Sequence, residues 1–176
     1  MNTSGTPNYF DLLDLPVSCA IDETQLEHNY RALQSRLHPD RYVDAAPAER
    51  LAVLQQASML NDAHTTLKSP LRRARHLLQL QGIDPERHEQ RQLAPTFLLQ
   101  QMEQREALET LIANEDLDGL ERLRASSQQQ CAAVWHRFCV LIDDKRFEEA
   151  KVPFHELQFL HKLLDELADA EDRLIG

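Results

Sequence analysis

His38-Pro39-Asp40 places an imidazole and a carboxylate on either side of a ring that fixes its own φ and turns the preceding residue away from helix. Histidine and aspartate do acid-base and metal chemistry, so the triplet must first be weighed as a reactive site. The surrounding sequence supplies no Glu-x-x-His helix, no Gly-rich phosphate loop and no G-x-S-x-G nucleophile motif. A hydrolase using His38 and Asp40 on a metal is therefore a remote alternative. Taken alone, the two residues would cap a helix and open a loop. Around them stand Tyr30, Arg31, Arg36 and Arg41. Guanidinium groups form charge-assisted, bidentate bonds to carboxylates, which is the chemistry of recognition. Arg31 and Arg36 by themselves would mark only a solvated face.

A second set of chemically capable residues is His136 with Cys139, three apart, and Cys131, eight before Cys139. A structural metal needs four convergent ligands, so no metal and no cofactor is expected, and cysteine on an apolar face is the ordinary reading. The third thiol, Cys19, makes the count odd, which argues against a secreted disulfide framework and for a reducing, cytoplasmic compartment.

The elements that position these residues read as all-α, since only 4 of the 176 residues are Gly and Leu, Ala, Gln and Glu dominate. Tyr9 to Leu15 predicts a short first helix stopped by Pro16. Asp22 reads as an N-cap with Gln25 at N3, and Ile21 and Leu26 as a hydrophobic staple. The apolar stripe Leu26, Tyr30, Leu33, Leu37 then ends before Pro39. His38 to Ala46 reads as a polar loop. Pro47 begins a third helix to Lys68, with Leu54, Ala57, Leu60 and Leu67 inward, and Ser69-Pro70 breaks it. A fourth helix, Leu71 to Gln81, stops at Gly82. Three longer patterns, Thr96 to Ala113, Glu115 to Leu141 and Lys145 to Leu174, predict an antiparallel three-helix bundle. The domains so drawn are 1–81, a linker at 82–95, and 96–176.

The formal charge of -10 is unevenly spread: 8 basic and 9 acidic side chains in residues 1–75, against 11 and 20 in 76–176. An acidic bundle is a poor nucleic-acid partner. No apolar run reaches membrane-spanning length, and the first residues carry no basic targeting pattern, so no membrane association is expected.

The run L-E-H-N-Y-R-A-L-Q-S-R-L-H-P-D-R, Leu26 to Arg41, resembles the second helix and loop of J-domains. Tyr9-Phe10 with Leu12 and Leu13 resembles that family's first helix, and Asn61, Ala63 and Leu67 its third. The resemblance implies that Tyr30, Arg31, Arg36, His38, Pro39, Asp40 and Arg41 dock on a DnaK-class chaperone and promote its ATP hydrolysis. The chain itself would then be no enzyme.

Farther on, Pro70 to Gly82, Phe97 to Glu106 and Leu157 to Leu163 resemble the HscB family, J-domain co-chaperones of iron-sulfur cluster assembly. That resemblance implies an HscA-type chaperone and an IscU-type scaffold as partners, with Leu98, Leu99, Met102, Glu103, Glu106 and Phe159 binding the scaffold. Helical geometry points to the same surface. Phe97, Gln101, Gln104, Leu108, Leu111 and Ile112 share an inward face, leaving Leu98, Leu99 and Met102 outward beside Glu103, Glu106 and Thr110. In the last helix Leu157, Leu160, Leu164 and Leu167 form the inward stripe and Phe159 points away. A J-protein serving general unfolded clients is the alternative.

Three positions depart from the family pattern. Thr110 replaces an acid, and His64 replaces an aromatic of the third helix, which should weaken packing locally. Pro153 should kink the last helix or begin it near Val152, because an interior proline costs about 3 kcal/mol.

Overall fold

A computed structural model describes residues 7–85 and 93–175. These contain α1 Tyr9–Leu12, α2 Glu23–Arg36, a 3-10 turn Pro39–Tyr42, α3 Pro47–Lys68, α4 Pro70–Leu80, α5 Pro95–Ala113, α6 Leu117–Asp143 and α7 Phe147–Ile175. The fold is all-α, and the chain divides into two compact units, Met1–Asp84 and Pro85–Gly176. Of the expected linker at 82–95, residues 86–92 lie outside the described residues.

In the first unit α3 is the centre, packing against α1, α2, α4 and the 3-10 turn. Asp22 caps α2 by accepting the N–H groups of Thr24 and Gln25 at 2.9 and 3.1 Å, as the sequence predicts. The inward stripe of α3 is Val53, Leu60, Ala63 and Leu67, while Leu54 is exposed, a correction of one residue. The correction follows from the position of the neighbours: α1, α2 and α4 together enclose a side of α3 that a stripe read from one helix does not locate. The loop expected at His38 to Ala46 is partly ordered as the 3-10 turn, with Arg41 N–H bonded to His38 C=O at 3.0 Å.

The second unit is a three-helix bundle in which α6 and α7 share the largest contact and α5 packs on both. Leu108, Leu120, Leu163, Leu167 and Ala170 form a core cluster, with Leu164 only partly buried and Ile112 exposed. Leu163 rather than Leu164 is thus the deeper residue. An α7 wedged between two helices buries a broader face than a single stripe marks.

Four helices end in one device. After α1, α4, α5 and α6, a residue with positive φ (Asp14 at 50°, Gly82 at 77°, Glu115 at 53°, Lys145 at 59°) reverses the chain. Its N–H and the next one return to carbonyls of the last turn, as in Ile83 to Leu78 at 3.1 Å and Arg146 to Leu141 at 2.8 Å. This is the Schellman motif, usually built on glycine. It stops α1 at Leu12, short of the expected Leu15. It also holds Glu115 outside α6, whose N-cap is Asp116, bonded to Gly119 N–H at 2.9 Å. Pro153 neither begins α7 nor stops it: the helix starts at Phe147, with Ala150 N–H bonded to Arg146 C=O at 3.1 Å. The buried Pro153 ring sits among packed residues, and that burial offsets the one hydrogen bond its nitrogen cannot make.

Candidate functional site

The His38 ring caps the 3-10 turn. Its Nδ1 accepts the backbone N–H of Asp40 at 3.4 Å and lies 3.5 Å from Asp40 Oδ2. An Nδ1 that accepts puts the ring proton on Nε2, so His38 offers a donor where Asp40 offers an acceptor. Both side chains are open, 55% and 84% exposed. Two bonds brace the turn on the end of α2: Arg41 Nη1 donates to Ser35 C=O at 3.3 Å, and the Tyr42 hydroxyl donates to Arg36 C=O at 3.2 Å. The sequence reading did not find Tyr42. Carbonyls in the last turn of a helix lack intrahelical partners, and a donor six residues on is the signal that was available.

Arg31 and Arg36 are exposed on α2. Arg31 and His38 line a cleft of about 520 Å³ between α2 and α3, together with Gln34, Leu37 and Asn61. Tyr30 is half-buried, and its hydroxyl donates to Asn61 Oδ1 at 2.9 Å while accepting from Gln34 Nε2 at 3.1 Å. Its ring stacks on His64 with centroids 4.0 Å apart and planes at 21°. The expectation that His64 weakens local packing is therefore corrected: the imidazole provides a flat face for Tyr30 and bonds Glu27 Oε1 at 3.0 Å. Lys68 reaches the same Glu27 oxygen at 2.9 Å. The hydrogen bonds from Lys68 and His64 bring the Glu27 carboxyl down to about 2.

In the second unit α5 carries Leu98, Leu99 and Met102 outward, 40%, 56% and 60% exposed, with Glu103 and Glu106 exposed on the same helix. What turns that face out is the opposite one. Gln101, buried, donates to Gln104, which donates to Gln130 of α6 at 3.1 Å; Gln130 returns to Gln100 at 3.1 Å. Phe97 meets Phe159 of α7 edge-on, centroids 6.2 Å apart. Phe159 is thus half-buried and joined to α5 through Phe97. Thr110 turns its hydroxyl into its own helix, donating to Glu106 C=O at 2.8 Å.

The cysteine and histidine candidates do not converge. Cys131 lies 3.8 Å from His161 Nε2, while His136 is exposed and Cys139 half-buried elsewhere on α6. Burial raises the Cys131 pKa and keeps the thiol protonated. Among the described residues no three His, Cys, Asp or Glu groups gather to hold a metal ion. No helix among them is long and apolar enough to cross a membrane.

The chain is similar to known proteins over nearly its whole length. A family described as the HSCB C-terminal oligomerisation domain matches residues 93–168. A co-chaperone protein HscB homolog of Paraburkholderia phytofirmans is 35% identical over 167 residues, 95% of each chain. One of Vibrio cholerae serotype O1 is 39% identical over 172 residues, 96% of this chain and 99% of its own. Among solved structures, the chaperone HscB from Vibrio cholerae superposes with a TM-score of 0.86 at 37% identity, covering 96% of this chain and 99% of that one.

Proposed function

This chain belongs to the HscB family of J-protein co-chaperones, and from that premise we propose that it delivers an IscU-type iron-sulfur scaffold to an HscA-type chaperone and triggers ATP hydrolysis there. The observation that carries this reading is the open His38 and Asp40 pair, a donor beside an acceptor, on a turn braced from α2 by Arg41 and Tyr42. A pair on a backbone turn tied to α2 before contact loses less entropy on docking than one on a free loop. Arg31, Arg36 and Arg41 add cations suited to carboxylates of the chaperone, and Pro39 limits the conformations of the loop. These groups bias a switch in the chaperone. They form no covalent bond, so the ATPase is the partner and this chain is not an enzyme.

The bundle supplies the cargo site. Leu98, Leu99 and Met102 are exposed on α5 with Glu103 and Glu106 on the same helix, and the half-buried Phe159 joins α5 through Phe97; apolar side chains beside acidic ones suit a partner-binding patch. The net charge of the C-terminal half favours a partner with basic groups around its own apolar contact. Residues 1–81 thus serve as the chaperone-binding domain and 96–176 as the scaffold-binding domain, in the cytoplasm.

Single-turnover ATP hydrolysis by the chaperone tests the first half, with wild type stimulating and His38→Gln failing to do so. Equal stimulation by both proteins would end the reading. Calorimetry tests the second half: the scaffold should bind, and a denatured polypeptide should not.

A further inference from the structure

The bonds around Tyr30 form a directed chain. A phenolic hydroxyl carries one proton, so if Gln34 donates into it at 3.1 Å, the hydroxyl must donate onward to Asn61 Oδ1 at 2.9 Å. The donor on one side and the acceptor on the other are both taken, and the ring is held by the His64 stack. His64 is in turn fixed by Glu27, which Lys68 also bonds. The Tyr30 hydroxyl proton is thus spent within the molecule and is not available to a docking chaperone.

The chain ends at useful places. Gln34 and Asn61 stand on opposite walls of the cleft that Arg31 and His38 also line. Gln34 is one helical turn from Tyr30 on α2, whereas Asn61 reaches Tyr30 from α3 across 31 residues of sequence. A short polar relay of this kind joins the two helices and sets the rotamer of Gln34, an α2 side chain that lines the cleft with His38.

We propose that Asn61 is a positioning residue of the chaperone-docking face: it acts by orienting the Tyr30 hydroxyl, which orients Gln34 beside His38. This inference rests on the docking role assigned above to the Arg31 and His38 face. Tyr30, on this account, is a support for the docking surface, and its hydroxyl donates no bond to the chaperone. The trigger pair itself depends on different bonds, those of Arg41 and Tyr42 to α2. Losing the relay therefore weakens docking while the hydrolysis step, once docked, keeps its rate.

The test is a double-mutant cycle read in single-turnover ATP hydrolysis by the DnaK-class chaperone, titrated with this protein. Tyr30→Phe keeps the ring stacked on His64 and removes only the hydroxyl, so its folding is safeguarded. Tyr30→Phe and Asn61→Leu should each raise the half-saturating concentration by about five-fold, the worth of one neutral hydrogen bond, with the rate at saturation unchanged. The double variant should be no worse than either single one, because both remove the same relay. Asn61→Asp, which keeps an acceptor for Tyr30, should restore docking close to wild type. Effects that multiply in the double variant would assign Asn61 a contact of its own and overturn the proposal. So would a single variant with unchanged half-saturation, a fall confined to the saturating rate, or failure of Asn61→Asp to rescue. His38→Gln in the same titration separates the two levels. If wild type and His38→Gln behave alike, the docking role is wrong; if they differ and the cycle is multiplicative, only the relay is.

Discussion

His76 Nε2 of α4 accepts the backbone N–H of Tyr9 at 3.2 Å, and the two rings stack with centroids 4.5 Å apart. The imidazole is 2% exposed, and burial lowers its pKa from 6.5 to about 4. A protonated Nε2 could not accept the Tyr9 bond. The folded protein therefore binds fewer protons here than the unfolded chain between pH 6.5 and pH 4, and stability present above pH 6.5 is lost as pH falls through that window. Urea unfolding should show about 2 kcal/mol less stability at pH 5 than at pH 7 from this group, a slope that His76→Gln should largely remove.

Removing the Tyr42 hydroxyl should loosen the Pro39–Tyr42 turn without unfolding the unit. Tyr42→Phe loses one exposed bond to the Arg36 carbonyl, about 1 kcal/mol at most. Stimulation of the chaperone should fall a few-fold in the single-turnover assay while the melting temperature moves little. An unchanged stimulation would mean that the brace has no part in docking.

Leu99→Ala combined with Phe159→Ala should weaken scaffold binding by about thirty-fold or more if both are anchors, each costing at least about 1 kcal/mol on truncation. Glu103→Gln and Glu106→Gln should instead act mainly on the association rate and its salt dependence. Calorimetry and stopped-flow binding at two salt concentrations distinguish the two effects.

Lys145→Gly should stabilise the bundle by about 1 kcal/mol, although it removes a side chain. Lys145 sits at φ 59° between α6 and α7, a conformation that costs a residue with a Cβ and costs glycine little. Thermal unfolding at neutral pH measures the gain. A loss would show that the lysine side chain makes up for its backbone strain.

The positive-φ positions also mark where sequence reading reached its limit. Gly82 announced the end of α4, but Asp14, Glu115 and Lys145 make the same turn with side chains that do not advertise it. The expected boundaries of α1, α6 and α7 accordingly differ from those observed. Local rules make Pro153 a kink or a helix start, because they give it a helix-breaking cost, and tertiary burial of its ring offsets that cost inside α7. The outward patch was found because Leu98, Leu99 and Met102 fall off the apolar face of a single helix, which periodicity alone reveals.

By itself, then, the sequence determined the all-α class, the sites of most helix starts, the end of α2 before Pro39 and the outward face of α5, since each depends on residues within two turns of one another. Tertiary structure decided what long separations control: that Tyr30 is bound by Asn61 and His64, that His38 and Asp40 are braced from α2, and that Leu163 lies deeper than Leu164. The physical reason is the range of the forces. Capping and periodicity act along a few residues of chain, whereas a stacked ring or a relayed hydrogen bond exists only after packing has brought distant helices into contact.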